Sequence, residues 1–206
     1  ALELARQRQG RELTATFDRI ETEAERLDKL VGEVLTLARL QTRRVGFRSD
    51  PIDLTDLIGT VADAAGFEAD VEGKSVRVGL SETGNKHFTV RGDGELLRRA
   101  LENVVRNAVR HTALGTAVVI ELRRDGEHKI AVDVCDCGPG VGSDFLPKLF
   151  EPFARPDASR GRSSGGYGLG LAIARRAVHA HGGTIAACNR QPNGLCVTIE
   201  LPLARP

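Results

Sequence analysis

Between Phe17 and Gln41 the apolar positions recur at helical spacing. Ile20, Ala24, Leu27, Val31, Val34 and Ala38 alternate steps of four and three residues, which is a heptad seam. Leu30 and Leu37 widen the seam to the stripe that a bundle helix needs. Glu25 and Lys29 add a favourable i,i+4 pair on the polar side. The preceding "ALELARQRQG" reads as the end of another helix, stopped near Gly10. The pattern therefore predicts an antiparallel helical hairpin over residues 1–48. Its apolar stripe requires a partner, either a second copy of the chain or the chain's own downstream domain.

At "RRVGFRSDP" the period breaks, and Pro51 bars continuation of a helix. A second domain is expected over residues 49–206. Its pattern alternates between periods. Helices are predicted over Leu54–Ala65, Gly94–His111 and Leu169–His181. Strands are predicted over Ser75–Leu80, His87–Val90, Ala117–Arg123, Lys129–Cys135, Thr184–Cys188 and Leu195–Leu201. Helices interspersed among hairpin-like strand pairs predict an α+β fold, a two-layer α/β sandwich with helices on one face of a mixed sheet.

Composition narrows the picture. With 41% hydrophobic residues in 206, the chain can build a real core, and with 4% aromatics that core must be aliphatic. A net charge of +1 gives no global attraction to nucleic acid or to an anionic membrane. No apolar run reaches the ~20 residues that cross a bilayer, and no signal-peptide pattern is present. A start at Ala1 and the lack of any Met suggest a piece of something longer. Cys135, Cys137, Cys188 and Cys196 show neither CxxC spacing nor a disulfide framework, so reduced thiols are expected.

Three stretches carry candidate chemistry. In "ELLRRALENVVRNAVRHT", Leu97, Leu101, Val104 and Ala108 form a core stripe, and Asn103, Asn107 and His111 form a polar row beside it. A carboxamide oxygen is a hard ligand that suits Mg²⁺ bridging phosphates, although such Asn residues also serve simply to bond a loop. In "VCDCGPGVG", Asp136 stands at a strand end, where an acceptor-only carboxylate suits an amine donor such as adenine N6. Gly138 and Gly140 permit positive φ and close approach of a planar ligand. In "SSGGYGLGLAI", Gly166, Gly168 and Gly170 open a helix whose first N–H groups can meet phosphate oxygens. The preceding "SRGRSSGG" reads as a mobile basic flap rather than a strand, which argues against a dinucleotide fold. Arg155, Arg160 and Arg162 are available there to phosphate, and "FEPF" would anchor the flap by burying Phe150 and Phe153.

In this order the segments resemble the ATP-binding domain of sensor histidine kinases of two-component systems. "NVVRNAVRHT" is similar to the N box of that family, "DCGPGVG" to its G1 box, "FEPF" to its F box and "GYGLGLAI" to its G2 box. "GGTI" and "GLCVTIELP" resemble its closing strands, and "IETEAERLDKLVGEVLTLARL" resembles the second helix of its dimerisation and phosphoacceptor hairpin. The resemblance implies Mg-ATP binding and transfer of the γ-phosphoryl to a histidine, then to an Asp of a response regulator. It implies that Asp136 receives the adenine amine while Gly138 and Gly140 make room for the ring. Asn107 would hold Mg²⁺, with Asn103 supporting the phosphates and Arg110 and His111 flanking them. Arg155 would approach the outer phosphate, and Gly166, Gly168, Leu169 and Gly170 would form the lid. The expected partners are a second copy, through the hairpin, and a response regulator receiver domain. The full-length protein would sit in the cytoplasmic membrane of a bacterium, with this region in the cytoplasm.

Three departures stand out against that resemblance. Cys137 replaces a usual Asn, and His111 replaces a frequent Tyr. The third is the acceptor: the family places its phosphoacceptor His before an acidic residue and Pro. None of the five histidines, at 87, 111, 128, 179 and 181, has that setting. The chain is expected to bind ATP without phosphorylating itself. ATP-hydrolysing relatives carry a Glu four residues before the Mg-binding Asn, where this chain has Asn103. Glu102 is displaced by about 100° around the helix. A non-catalytic adaptor conflicts with the intact Asp136, Asn107 and lid glycines. A serine-kinase anti-sigma module would lack the long heptad helix.

Overall fold

The computed structural model describes residues 2–42, 49–80, 88–155 and 166–204. The helix stop expected near Gly10 is not there: α1 is one unbroken helix over Leu2–Thr42. Gly10 lies inside it. A helical glycine costs only about 1 kcal/mol relative to Ala, and the Leu, Glu, Ala, Arg and Gln around it are strong helix formers. Phe17, Ile20, Leu27, Val31, Val34 and Leu35 leave the apolar stripe exposed. Near its C-terminal end, Leu37 turns inward and packs with Leu169, Ala172 and Ile173.

After α1, β1 (Asp50–Asp53) pairs antiparallel with β3 (Thr89–Gly92) in a separate two-stranded ribbon. Pro51 is tolerated there because the ribbon has edges on both sides. Asp53 then caps α2 (Leu54–Val71), its side chain accepting from Thr55 N at 2.8 Å. The main sheet has the order β2-β4-β5-β7-β6, built from β2 (Ser75–Leu80), β4 (Ala117–Asp125), β5 (Lys129–Cys135), β7 (Leu195–Pro202) and β6 (Thr184–Asn189). β2 runs parallel to β4, and the other pairings are antiparallel.

Alternation divides the sheet's two faces. Val118, Ile120, Leu122, Ile130, Val132, Val134, Val197, Ile199 and Leu201 meet α2, α3 (Gly94–His111) and α4 (Gly170–Ala180) in one aliphatic core. Each such side chain contributes roughly 1.5–3 kcal/mol on full burial. The opposite face carries polar ladders. Asp133 accepts from Arg123 Nε at 2.8 Å and from Thr198 Oγ1 at 2.6 Å. Glu200 accepts from Lys129 and Thr184 at 2.9 and 3.0 Å. The fold is thus the two-layer α+β sandwich expected.

The open face also holds a correction. Cys135 and Cys196 are register partners on β5 and β7 and are joined as a disulfide, whereas reduced thiols were expected. A sequence separation of 61 hid a pairing that only strand register creates. Cys137 and Cys188 are free.

Candidate functional site

The polar row of α3 is held at both helix ends. Asp93 caps the N-terminus through Leu96 N at 3.2 Å. Its own N–H donates to Nε2 of the buried His181 at 3.0 Å, and His181 Nδ1 donates to Ala177 O at 2.7 Å. Both ring nitrogens are thereby engaged, and the imidazole is fixed as the neutral Nδ1–H tautomer. At the other end, Lys74 Nζ donates to Val109 O at 2.8 Å and pairs with Glu72 at 2.7 Å. A cation at this end also complements the helix dipole. Between these anchors stand Asn103 and Asn107, both half-buried on α3. Glu102 is ion-paired with Arg98 on the helix surface.

His111 ends the row with part of its surface open to solvent. Protein crowding around the ring, then the neighbouring Arg110 charge, lowers its pKa below the usual histidine value, against an opposing pull from Asp136. Thr112 follows as the C-cap residue, buried, and its Oγ1 accepts from Cys137 N at 3.0 Å. The N-box helix and the glycine loop are joined at this point.

Asp136 is 3% exposed, which is rare for a carboxylate without compensation. Compensation comes from the backbone: Oδ1 accepts from Gly138 N at 2.8 Å and from Leu195 N at 3.1 Å. Asp136 N also donates to Leu195 O at 2.9 Å, extending the β5–β7 ladder by one residue. These two side-chain bonds use one carboxylate oxygen. The glycines have internal reasons too. A Cβ on Gly138 would overlap His111 O, so the loop lies directly on the end of α3. Of the two loop glycines read as permitting positive φ, Gly140 adopts it at +71° and Gly138 does not.

The G2 stretch closes on the same helix. A Cβ on Gly166 would overlap Arg110 Nη1, and one on Gly170 would lie 3.1 Å from Asn103 Oδ1. Arg110 keeps an exposed surface, and its pKa is lowered by partial desolvation among neighbouring protein atoms and then by the nearby Arg155 charge, so two guanidinium groups converge here. Gly168 has φ +73° and accepts from Phe153 N at 2.9 Å. Phe150 packs against the core as expected. Phe153 does not: it is 62% exposed with φ +63°, held by its backbone rather than by burial. The N-terminus of α4 has no side-chain cap, and Leu169, just before it, is fully buried. Arg160 and Arg162 lie outside the described residues.

The structure therefore brings Asn103, Arg110, His111, Asp136, Gly138, Gly166 and Gly170 around one end of α3. It adds residues that the sequence reading missed: Lys74, Thr112, Asn189, Gly194 and Leu195. Of these, Gly194 alone carries a local signal, the turn-type Asn193-Gly194 pair, and the structure requires it: a Cβ there would overlap Asp136 O and its φ is +120°. Among the described residues no group of three or more His, Cys, Asp or Glu side chains could hold a metal ion. A metal at this site would rest on carboxamide oxygen and ligand phosphate.

Comparison with known proteins bears on the family and the fold. Residues 92–205 match the family described as histidine kinase-, DNA gyrase B-, and HSP90-like ATPase. Sensor histidine kinase CpxA of Escherichia coli (strain K12) is 38% identical over 200 residues, covering 97% of this chain and 42% of CpxA. The chain thus spans less than half the length of that relative. The structure of full-length ShkA in complex with AMPPNP superposes with a TM-score of 0.75 at 29% identity, over 87% of this chain and 36% of ShkA. Histidine kinase ThkA in complex with the response regulator TrrA gives 0.70 at 25% identity, over 90% of this chain and 49% of that one. The chain belongs to the histidine kinase-, DNA gyrase B- and HSP90-like ATPase family, as a catalytic region of the sensor histidine kinase type.

Proposed function

We propose that this chain binds Mg-ATP at the end of α3 and serves phosphoryl transfer to a histidine, with the phosphoryl group passing on to an Asp of a response regulator. The observation that carries the reading is Asp136. It is a buried carboxylate held by two backbone N–H groups through Oδ1, and an acceptor-only group of this kind suits an exocyclic amine. The residues present fit the nucleotide. Arg110 and Arg155 supply converging positive charge for phosphates, and Gly166 and Gly170 admit close approach to Arg110 and Asn103. Asn107 would offer its carboxamide oxygen to Mg²⁺, whose chemistry is to bridge and neutralise phosphate oxygens.

Each residue then has a positioning or charge-neutralising task, which is what phosphoryl transfer chiefly asks of a protein. Asp136 orients the base, Asn103 and the lid glycines shape the phosphate channel, and Arg155 meets the outer phosphate. The exposed stripe of α1 would pair with a second copy. A receiver domain is the onward partner, as the ThkA complex with TrrA suggests for a relative. The whole protein would be a membrane sensor, with this region on the cytoplasmic side. No histidine in the 206 residues has the acceptor setting, so this chain alone binds nucleotide without phosphorylating itself.

The test is Mg-dependent binding of a fluorescent ATP analogue to the parent chain and to Asp136→Asn. The carboxamide oxygen can still accept from Gly138 and Leu195, so the fold should persist. The acceptor for the amine becomes a donor, and a charge-assisted bond worth about 1.5–3 kcal/mol is lost. Affinity should fall at least about tenfold. Equal binding by both proteins would remove Asp136 from base recognition.

A further inference from the structure

The geometry points to Asn189 as the positioning residue that sets the glycine loop against Asp136, an inference that rests on the nucleotide reading above. Asn189 ends β6 and looks, in sequence, like an ordinary turn residue. Its carboxamide makes a two-point clamp on a single residue of the loop. Oδ1 accepts from Val141 N at 2.9 Å, and Nδ2 donates to Val141 O at 2.7 Å. The pair fixes the amide's orientation, because only one assignment of oxygen and nitrogen satisfies both bonds. It copies the exchange that a neighbouring strand would make, at a point where the loop has left the sheet.

The clamp explains Gly140 as well. A Cβ there would lie 2.7 Å from Asn189 Oδ1, so the residue before Val141 must have no side chain for the carboxamide to reach its partner. The connection to Asp136 is direct. Asn189 is the register partner of Leu195 on β7. Leu195 in turn exchanges two bonds with Asp136, through its own N–H and its C=O. Arg190, the next residue, donates from Nη1 to Asp136 O at 3.4 Å and from its backbone N to Gly194 O at 2.9 Å. The β6–β7 turn thus holds Asp136 on one side of the glycine loop, and Asn189 holds Val141 on the other. The loop between, Gly138 to Gly140, cannot shift toward or away from the carboxylate without breaking one of these bonds.

Asn189 is not itself assigned a contact with nucleotide. It acts through the loop, so its loss should alter selectivity for the base more than stability. In Asn189→Ala, the ATP analogue should bind about tenfold more weakly, as expected when two hydrogen bonds are lost from the loop's support. Preference for adenine over guanine nucleotides in competition should narrow. The thermal midpoint should hold to within a few degrees, since the side chain is exposed. Asn189→Asp, which keeps the acceptor but faces Val141 O with a carboxylate oxygen, should lie between the parent and Asn189→Ala. Amide exchange at Val141, read without any nucleotide, should accelerate in Asn189→Ala. Gly140→Ala should weaken binding less in the Asn189→Ala background than in the parent, because the collision with Asn189 is then gone while the strain of a side chain at φ +71° remains in both. Unchanged Val141 exchange, or affinity and base preference within twofold of the parent while Asp136→Asn loses binding, would overturn the inference and leave the nucleotide reading standing. Absence of binding by the parent chain would instead overturn the nucleotide reading, and this inference with it.

Discussion

Replacing Gly92 by Ala should strike the buried joint that sets the start of α3. A Cβ at position 92 would overlap Cδ2 and Nε2 of His181 and lie 3.4 Å from its Cγ. The ring has no room to yield, being 6% exposed and bonded at both nitrogens, to Asp93 N and Ala177 O. Overpacking of this kind costs about 1–3 kcal/mol. If the ring swings away, the half-buried Asp93 N–H loses its acceptor, which adds roughly 1–3 kcal/mol. The expected total of about 2–6 kcal/mol is a large share of the 5–15 kcal/mol typical of a domain. Urea unfolding followed by circular dichroism measures it, with the midpoint moving at unchanged slope.

The same clash predicts strong coupling between the two positions. His181→Ala removes the obstacle, so adding Gly92→Ala to it should cost at least about 1 kcal/mol less than adding it to the parent. A destabilisation by Gly92→Ala below about 1 kcal/mol, or additive effects in the cycle, would show that the ring does not bear on Gly92. Because Asp93 caps the helix that carries Asn103 and Asn107, the single variant should also weaken nucleotide binding.

Acid should loosen the same joint. Burial lowers His181's pKa below the ordinary value, against the opposing hydrogen bonds and the Asp93 charge. The unfolded chain therefore takes up this proton first. The contribution is fully present above about pH 6.5 and is lost as pH falls below it toward the folded-state pKa, at no more than about 1.4 kcal/mol per pH unit. His111 is shifted in the same direction and adds to the slope, so the His111→Asn background isolates His181. Urea midpoints in that background should decline with acid, and His181→Ala should flatten the decline. On the open face, alkylation before and after reduction should label Cys137 and Cys188 first and Cys135 and Cys196 only after dithiothreitol. Reduction should lower stability by about 2–4 kcal/mol, the usual range for a long closed loop.

What the sequence made legible follows from where its signals are local. α3 was bounded residue for residue, because Asp93 is a cap and the stripe from Leu97 to Ala108 has no competing period. β2 and β5 were also bounded as expected, both being short apolar alternations between turn residues. α2 was ended too early at Ala65. Its last turns expose Phe67 and Val71, which breaks the apolar stripe, and they are secured instead by Ala69 and by Lys74 N bonding Ala69 O. β1 was hidden by Pro51, which ends a helix and equally suits an edge strand. The unbroken α1 shows that a single glycine among strong helix formers does not make a turn.

The site divides along the same line. Asp136, the lid glycines and the Asn row lie in stretches whose residue types already suggest a ligand. The residues that hold them in place do not. Lys74 reads as a surface lysine, yet its side chain is 8% exposed because it reaches the last carbonyls of α3. Thr112 reads as the end of a helix, and Asn189 as a turn. Each acquires its task only when a distant segment arrives: Val109 over Lys74, Cys137 over Thr112, and Val141 over Asn189. Contact with ligand leaves a mark in local composition, whereas support for that contact is written in the pairing of strands and helix ends. The disulfide belongs to the second class, since Cys135 and Cys196 meet through register alone.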